Sequence, residues 1–514
     1  MYGTITIATG ARKAKADAVA ITVRDTTGRL PDAYTELDAS ADGMITAALK
    51  RSEFSATAGQ VTTLYPGRGP HRIFLTGIGG ANRDDGHAVR LAASQLVRTA
   101  YDAGVRRLDL RLLGGLPGTL DINLLARAIG DGIAIANFEF AEFKGKANDS
   151  RSTGSRPTRR KARRLELTAE PTMRPGIKRG LLIGQSVNLA RRLAATPPNI
   201  AHPAFFTAHC RQMARRTGLK CTIINAMKAK QLGLGGLLAV GSAGSRPPAL
   251  IALEHCPPGK AKAPPVMLVG KAVTFDTGGY SLKPRENMDA MKYDKCGGMA
   301  VIGVMDAVAR LKLPVRVIGL VAAAENLISA DAYRPGDIIT MANGVTVEVT
   351  NTDAEGRLVL GDAMVYGCRT YKPRAIIDLA TLTGGVVAAL GSSCAGCFCN
   401  DEHLLQQLLE SANFTGERIW HLPLWEEHRK QIKGSHGDIV NSAGREAQPI
   451  QGAAFLSHFV GERGPCDLPD LPWAHLDIAG VSDTKGRSEG ESLFLSGPTG
   501  FGVRLLVRWL EKIR

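Results

Sequence analysis

The first 140 residues alternate short β-branched runs with helix-like segments. The pattern predicts strands over Ala18–Val23 and Arg72–Gly77, and an amphipathic helix over Ala88–Ala103 with its leucines on one side. Strands and helices that alternate in this way indicate a small α/β domain with a mostly parallel sheet.

From residue 181 onward the apolar runs are short and nearly continuous, which is typical of strands buried on both faces of a parallel sheet. A helix predicted over Leu182–Ala195 stops at Thr196–Asn199, where two prolines follow each other. The other predicted elements are the strands Pro248–Leu253, Val266–Gly270, Val315–Ala324 and Ala375–Leu379 and the covering helices Met299–Leu311 and Leu358–Tyr371.

These elements predict an α/β fold in two domains. The smaller N-terminal α/β domain is expected over residues 1–145, and a basic linker over 146–180. The larger C-terminal domain, over 181–514, is expected to hold a mixed, mostly parallel sheet flanked by helices. A chain of 514 residues is too long for one ordinary core, so two or more domains are expected on length alone.

Composition is that of a soluble globular protein, with 44% hydrophobic and 22% charged residues. No uninterrupted apolar run approaches the roughly 20 residues that span a bilayer, so no membrane role is expected. Met1–Lys15 lacks an apolar core followed by a small-residue cleavage site. A cytoplasmic location is therefore predicted.

Net charge is +16, and the excess is concentrated in the first part of the chain. Residues 1–180 hold 28 Lys+Arg against 18 Asp+Glu, and much of this surplus lies in the run Arg156–Arg164. Such a run can bind phosphate backbones without sequence preference. A solvated interdomain loop is the favoured interpretation, and nucleic-acid binding is the alternative.

Nine cysteines are scattered along the chain without paired spacing. Cys394, Cys397 and Cys399 are close enough to suggest a zinc knuckle, but no second group of thiols or histidines follows them. Reduced, packed thiols are the favoured interpretation. The sequence contains no HExxH pair, so the common zinc-protease helix is absent.

The segment Asn351–Leu358, which reads NTDAEGRL, places two carboxylates and a guanidinium within five positions. It lies between a β-like apolar run, Val345–Val349, and a helix-like one. The end of a strand is where an open α/β sheet binds its ligands. Because Asp353 and Glu355 repel each other at such close spacing, a cation between them is indicated.

A second charged cluster lies upstream and contains Lys271, Asp276, Lys283 and Asp294. It follows a predicted strand and continues into a glycine-rich turn, so its side chains can converge on one site. Carboxylate oxygens favour a hard divalent ion over a thiolate-type site. Four carboxylates from three loops would bind two such ions, which would lower the pKa of a bridging water and polarise a carbonyl. The seven charged residues therefore indicate a two-metal hydrolytic site.

The two lysines would serve different purposes in such a site. Lys283 would stabilise the oxyanion of a tetrahedral intermediate by charge and hydrogen bonding. Lys271 would ligate a metal if neighbouring dications keep it neutral. A surface salt bridge is the alternative for either lysine, and spacing alone does not assign the roles.

These segments closely resemble the leucine (cytosol) aminopeptidase family of dinuclear metallo-exopeptidases. The resemblance is carried by NTDAEGRL together with the segments Gly270–Pro284 and Asn287–Gly298. Further matching segments are Thr196–Asn199, Tyr333–Asp337, Ala380–Gly384 and Trp473–Gly480. The resemblance covers residues 180–514 and implies that they form one catalytic domain.

The resemblance implies a role for each charged residue. The tighter metal site would use Lys271, Asp276, Asp294 and Glu355. The more exchangeable site would use Asp276, Asp353 and Glu355, with the backbone carbonyl of Asp353. Lys283 would be the catalytic lysine, and Arg357 would hold a bicarbonate ion that acts as the general base. Manganese or zinc would be the metals.

The same resemblance implies an aminopeptidase that releases N-terminal residues, leucine among them, from peptide substrates. The residues that bind the substrate would be Met291, Thr381, Leu382 and Gly384. Members of such families are commonly homohexamers, and some bacterial relatives also bind DNA as regulators, a role that the basic linker would suit here. The segment Ala443–Gly452 departs from the family's usual pattern of small residues and threonine, which affects the expected shape of the substrate pocket.

Overall fold

A computed structural model describes residues 1–8, 16–24, 29–51, 54–80, 85–116, 121–144, 163–460, 471–484 and 492–513. The chain divides into two compact units. The first comprises Met1–Asn188 and Gly486–Leu495, and the second comprises Leu189–Lys485 and Ser496–Arg514. The predicted fold class, two α/β domains of unequal size, is confirmed.

The described residues of the first unit form a six-stranded sheet and five α-helices. Its strands are β1 (Thr4–Ile7), β2 (Ala18–Val23), β3 (Val61–Leu64), β4 (Ile73–Gly77), β5 (Arg107–Arg111) and β6 (Arg164–Ala169). Its helices are α1 (Thr35–Ser40), α2 (Met44–Leu49), α3 (Asp85–Asp102), α4 (Ile122–Ala136) and α5 (Arg174–Ala195), the last of which continues into the second unit. The strand order is β1-β6-β5-β2-β4-β3, with only the β3–β4 pair antiparallel among these strands.

Strand β2 shows why this sheet is covered on both faces. Successive side chains of a strand point to opposite faces. Ala18 and Ala20 belong to the apolar cluster that includes α3 and α4, whereas Val19 and Ile21 belong to the cluster that includes α1 and α2. A continuous apolar run was therefore the correct signal for a strand between two helical layers.

The structure differs from the sequence prediction at the end of the proposed linker. Residues 164–180 were placed in the linker, but they contain β6 and the beginning of α5. β6 pairs in parallel with both β1 and β5, and Leu165, Leu167 and Ala169 are buried on one side of it. The high arginine content of the preceding residues concealed this alternation. The basic run from Arg156 to residue 162 lies outside the described residues, and the exact limits at 145 and 180 stay predictions.

The second unit is built on an eight-stranded sheet. Its strands and those of two smaller sheets are β7 (Lys220–Asn225), β8 (Ala249–His255), β9 (Val266–Asp276), β10 (Val317–Asn326), β11 (Ile338–Thr340), β12 (Thr346–Glu348), β13 (Ala375–Ala380), β14 (Ala395–Cys399), β15 (Ile419–His421), β16 (Ile439–Val440), β17 (Trp473–Asp477), β18 (Asp483–Thr484) and β19 (Gly497–Pro498).

The helices of this unit are α6 (Pro203–Thr217), α7 (Ala226–Gln231), α8 (Gly235–Val240), α9 (Cys296–Leu311), α10 (Gly356–Tyr371), α11 (Gly384–Leu390), α12 (Glu402–Thr415), α13 (Glu426–Gln431), α14 (Gln448–Ser457) and α15 (Val503–Lys512). The main sheet has the order β15-β14-β17-β13-β9-β10-β8-β7, and its central strands β17, β13, β9 and β10 run parallel. The mixed, mostly parallel sheet expected from the buried apolar runs is thus present.

Strand β9 extends further than predicted. The apolar run ends at Gly270, but pairing with β10 continues through Lys271 opposite Ala322 to Asp276 opposite Asn326. Two charged residues therefore belong to a central strand. Helix α9 begins at Cys296, three residues before the predicted Met299. Gly297, in its first turn, packs closely against β13, since a Cβ there would lie 2.1 Å from the Leu379 carbonyl oxygen.

In the described part of the chain, no helix combines the length and the apolar character that crossing a membrane requires.

Candidate active site

Six charged side chains meet at the carboxyl ends of the central parallel strands, which is where open α/β sheets bind ligands. β9 supplies Lys271 and Asp276, and the loop between β12 and α10 supplies Asp353 and Glu355. Asp294 directly precedes α9, and Lys283 follows the turn after β9. The structure therefore brings together the residues that the sequence placed in two separate clusters.

Asp276, Asp353 and Glu355 form a compact group of carboxylates. One oxygen from each lies within 4.8 Å of the others. Asp276 and Glu355 are buried, with 2% and 1% exposure. Burial and the charges of these two neighbours raise the pKa of Asp353 to about 7, although Lys283 opposes the rise. So much negative charge in a buried place requires compensating cations.

Lys271 supplies part of that compensation from inside β9. Its Nζ lies 2.8 Å from Asp294 Oδ1, 2.7 Å from Glu355 Oε1 and 2.8 Å from the Thr381 carbonyl oxygen. Burial by itself lowers the pKa of Lys271, but Asp294 and two further carboxylates outweigh that effect and raise it above its ordinary value.

Lys283 compensates the other side of the carboxylate group. Its Nζ lies 2.9 Å from Asp276 Oδ2 and also contacts Asp353 Oδ1. Burial opposes the charge of Lys283, yet the carboxylates raise its pKa above the ordinary value. The side chain of Lys283 is 21% exposed, against 3% for Lys271, so Lys283 is the lysine that a substrate can reach.

Several buried oxygens at the site accept no hydrogen bond from the described residues. They are Asp294 Oδ2, Asn326 Oδ1, Glu355 Oε1 and Oε2, and Asp353 Oδ1, of which Glu355 Oε1 and Asp353 Oδ1 form ion pairs with Lys271 and Lys283. A buried acceptor without a partner costs about 1–3 kcal/mol. Carboxylate oxygens that accept no hydrogen bond from the protein can serve as ligands of hard divalent cations. The residues present therefore suit the metals inferred from the sequence.

The loop after β9 and the loop before α10, which carry candidate metal ligands, are held to each other by Thr352. Its Oγ1 donates to the Gly278 carbonyl oxygen at 2.6 Å and accepts from the Ser281 amide at 2.8 Å. Gly278 has φ +86°, and a Cβ there would lie 2.4 Å from the Ser281 carbonyl oxygen, so glycine is required in this turn. The loop after β9 and the loop before α10 therefore form one unit.

Arg357 lies beside the carboxylates in the first turn of α10 and is 3% exposed. Its Nη1 donates to the Asn441 carbonyl oxygen at 2.6 Å, whereas its buried Nε has no hydrogen-bond partner among the described residues. Burial lowers the pKa of Arg357 to about 10, and Glu355 and Asp477 oppose that shift. The guanidinium therefore stays cationic at neutral pH and retains a donor for an anion.

Of the four residues expected to bind substrate, Thr381 contacts this centre directly, and the other three lie in neighbouring segments of the chain. Thr381 Oγ1 donates to Asp294 Oδ1 at 2.7 Å, and the Leu382 amide donates to Asp477 Oδ1 at 3.0 Å. Gly384 is exposed at the first residue of α11. Met291 is half-buried in a 3₁₀ turn, Met288–Tyr293, directly before Asp294.

The unusual segment Ala443–Gly452 adjoins the arginine. A Cβ on Gly452 would lie 3.5 Å from Arg357 Nη2 and 2.8 Å from Leu382 Cδ2. The Gln448 side chain accepts from the Gly385 amide at 2.9 Å, which ties the segment to α11. The departure from the expected pattern therefore falls where Arg357 and the loop predicted to bind substrate meet.

Sequence reasoning missed three residues that support the site. Asn326 Nδ2 donates to Asp276 Oδ1 at 2.8 Å and to the Thr352 carbonyl oxygen at 3.0 Å. Tyr333 Oη donates to the same carbonyl at 2.7 Å. Asn441 contacts the loop and Arg357. Asn326 is the last residue of β10, so a polar residue at the end of a buried strand was a signal that could have identified it. Tyr333 begins one of the segments that resemble the family. No pattern in the sequence around Asn441 indicated that it supports the site.

The three cysteines considered as a zinc knuckle lie in strand β14 or next to it. Cys397 is buried, Cys394 and Cys399 are half-buried, and all three thiols are free. Burial raises the pKa of Cys399 to about 11, which favours the thiol over the thiolate. The group of potential metal ligands found among the described residues contains none of the three. Burial therefore favours the neutral thiol in all three cysteines.

Two family models match the chain. The model described as the cytosol aminopeptidase family, catalytic domain, matches residues 188–507. The model described as the cytosol aminopeptidase family, N-terminal domain, matches residues 18–147. Together they cover more than half of the chain, and the first contains the charged centre described above.

Relatives and solved structures agree with these models. A probable cytosol aminopeptidase of Syntrophotalea carbinolica is 39% identical over 485 residues, covering 93% of each chain. One of Roseiflexus castenholzii is 39% identical over 469 residues, covering 90% of this chain and 92% of that protein. A mutant of tomato leucine aminopeptidase superposes with a TM-score of 0.83 at 31% identity, covering 99% of this chain and 96% of the other. The bottromycin maturation enzyme BotP in complex with Mn gives 0.82 at 31%, covering 96% and 99%.

Proposed function

The chain belongs to the cytosol aminopeptidase family, and from that premise we propose how its residues carry out peptide hydrolysis. It is a metal-dependent aminopeptidase. The proposal concerns the finer points: which side chains hold the metals, which act on the substrate, and which N-terminal residues are released, leucine among them. One observation carries it, namely that carboxylate oxygens from the end of β9 (Asp276) and from the loop before α10 (Asp353 and Glu355) lie within 4.8 Å of one another.

Two divalent cations are proposed to be held by Asp276, Asp294, Asp353, Glu355 and Lys271, with Asp276 and Glu355 shared between them. Lys271 would bind as the neutral amine, because the charge of the cations would offset the carboxylates that raise its pKa in their absence. When bound, such ions supply the positive charge that lowers the pKa of water and polarises the scissile carbonyl. Support comes from the carboxylate oxygens that lack hydrogen bonds. Manganese or zinc is proposed, and one structural relative was solved with Mn.

Lys283 is proposed to stabilise the negative oxygen that develops on the substrate carbonyl. An ammonium placed where charge develops contributes most when it is fixed in a site of low polarity. Lys283 is held by two carboxylates and is still partly exposed, which suits this role better than the fully enclosed Lys271.

Arg357 is proposed to hold a bicarbonate ion that accepts the proton of the attacking water. A planar guanidinium binds a planar oxyanion through paired hydrogen bonds. The support is its buried position, its persistent positive charge and its Nε, which has no partner among the described residues.

Met291, Thr381, Leu382 and Gly384 are proposed to bind the N-terminal part of the peptide. The support is that Thr381 is hydrogen-bonded to both Lys271 and Asp294.

We also propose that the protein forms a homohexamer, that it is cytoplasmic, and that the basic run binds DNA. If the purified protein shows no salt-dependent retention on duplex DNA, the proposal of DNA binding is refuted.

The double variant D353A/E355A tests the proposal. It is expected to abolish hydrolysis of a leucyl anilide and to lower the number of bound metal ions per chain. The matched control is D331A/E427A, which removes two exposed carboxylates and should change neither quantity. Normal hydrolysis by D353A/E355A would refute the metal assignment.

A further inference from the structure

Asn441 is a buried residue with 0% exposure that directly follows β16. We infer that it is a positioning residue, which holds the metal-binding loop and Arg357 in fixed relation to each other. The inference rests on the proposed function, because it assigns a support to the same centre.

The Asn441 side chain uses both ends of its carboxamide. Its Oδ1 accepts from the Thr350 amide at 2.9 Å, from Thr350 Oγ1 at 3.1 Å and from the Asn351 amide at 3.2 Å. Its Nδ2 donates to the Asn351 carbonyl oxygen at 2.6 Å. A carboxamide supplies an acceptor and a donor together, whereas a carboxylate of the same shape supplies acceptors only.

The main chain of Asn441 makes two further contacts. Its amide donates to the Glu348 carbonyl oxygen at 3.0 Å, which continues the pairing of β12 with β16 by one residue. Its carbonyl oxygen accepts from Arg357 Nη1 at 2.6 Å. Substitution leaves this carbonyl in the chain, but its position depends on the side-chain contacts that anchor the residue.

The contacts lead directly to a proposed metal ligand. Asn351, which Asn441 holds on both its amide and its carbonyl, accepts the Asp353 amide on its own Oδ1 at 2.8 Å. Val349 still pairs with the main chain of residues 336 and 337, and the Glu355 carbonyl oxygen already accepts from α10. Residues 350 to 354, between these two points, belong to neither β12 nor α10. The hydrogen bonds of the Asn441 side chain to Thr350 and Asn351 thus hold the main chain where the loop between β12 and α10 begins.

Residues that orient metal ligands from outside typically contribute about 10- to 100-fold to metal affinity or activity. The test compares N441D, which keeps the shape and loses the donor, with N441A, which loses every side-chain contact. The matched control is N343A. Asn343 also caps a turn beside the same small sheet, accepting from the Val345 amide and donating to the His458 carbonyl oxygen, but it makes no bond to the site loops.

Each protein is stripped of metal, its thermal unfolding is recorded, and it is titrated with Co²⁺ while the visible absorption spectrum is followed. Hydrolysis of a leucyl anilide then gives kcat and KM. For N441D we expect an altered Co²⁺ spectrum, weaker Co²⁺ binding and a kcat lowered about 10- to 100-fold, with KM within about threefold of the wild type. The metal-free unfolding temperature of N441D is also expected to fall, because its new carboxylate oxygen lies against the Asn351 carbonyl oxygen in a buried place. Co²⁺ spectra and kcat are therefore compared at a temperature at which N441D, N343A and the wild type are all folded.

The inference is overturned if N441D shows the wild-type Co²⁺ spectrum and kcat, or if N343A loses as much activity as N441D. If N441A does not fold, N441D alone decides the question. A wild-type protein that binds no Co²⁺ and hydrolyses no anilide would instead refute the proposed function, so the two failures give different results.

Discussion

Lys271 Nζ lies 2.7 Å from Glu355 Oε1, which links the middle of strand β9 to the N-terminal end of helix α10. The approach is possible because residue 356 is glycine. A Cβ at that position would lie 2.6 Å from Cε and 2.8 Å from Nζ of Lys271. A Cβ carbon does not approach a carbon or an ammonium nitrogen this closely, so any larger residue must displace the lysine.

Gly356→Ala is therefore expected to lower kcat at least tenfold and to weaken metal binding, because the added methyl group pushes Lys271 away from Asp294 and Glu355. Gly367→Ala in the same helix is the matched control. Its Cβ meets a flexible methionine, Met267, and should lower the unfolding temperature while leaving kcat nearly unchanged. Steady-state kinetics and thermal unfolding distinguish the two variants. Equal losses of kcat would show that crowding anywhere in α10 has the same effect.

Lys283→Met is expected to lower kcat about 10²- to 10³-fold with little change in KM, since the lost charge acts mainly on the transition state. Lys283→Arg should recover part of the loss because it restores a cation. The control is Lys372→Met, which removes an exposed lysine at the end of α10. A larger change in KM than in kcat for Lys283→Met would assign the lysine to substrate binding instead.

Arg357→Met is expected to abolish the response of kcat to added bicarbonate and to lower kcat about 10²- to 10⁴-fold, the range typical of general acid–base catalysis. Arg357→Lys keeps the positive charge but loses the planar guanidinium, so its kcat should rise only weakly with added bicarbonate. The measurement is kcat as a function of bicarbonate concentration at constant pH and ionic strength. A wild-type enzyme that is indifferent to bicarbonate would contradict the proposed role.

A buried pair on neighbouring strands gives a prediction about stability. His475 Nδ1 and Asp378 Oδ1 lie 2.6 Å apart, and both residues are fully buried. Burial lowers the pKa of His475, but Asp378 outweighs it and the pKa is raised above the ordinary value. His475→Gln leaves Asp378 without its counter-charge and should cost about 3–5 kcal/mol. The double variant D378N/H475Q should recover much of that free energy.

The same pair predicts a pH dependence. Because the folded-state pKa of His475 is raised, its contribution to stability is fully present below pH 6.5 and declines as the pH rises through the folded value. Urea unfolding of the wild type should give a larger loss of unfolding free energy between pH 6 and pH 9 than D378N/H475Q shows. Parallel losses in the two proteins would mean that the histidine is neutral in the folded state.

Local patterns predicted most of the elements because they report burial. The continuous apolar runs of β8, β10 and β13 gave strands close to their observed limits. The prediction ended β9 at Gly270 because Lys271 interrupts its apolar run. That lysine is tolerated in a central strand only because Asp294 and Glu355 satisfy its charge. No local pattern shows partners 23 and 84 residues away.

The sequence by itself determined the fold class, the order of the strands and helices, and the identity of the charged groups that form the centre. Those properties follow from hydrophobic periodicity and from the chemistry of short segments. Only the tertiary structure decided which lysine is enclosed and which is accessible, and that Asn326 and Asn441 support the ligand-bearing loops. Asn441 contacts Asn351 across 90 residues of sequence, and such a contact depends on the pairing of β12 with β16. The physical reason is that periodicity reports which face of a segment is buried, whereas the register between distant strands decides what that face meets.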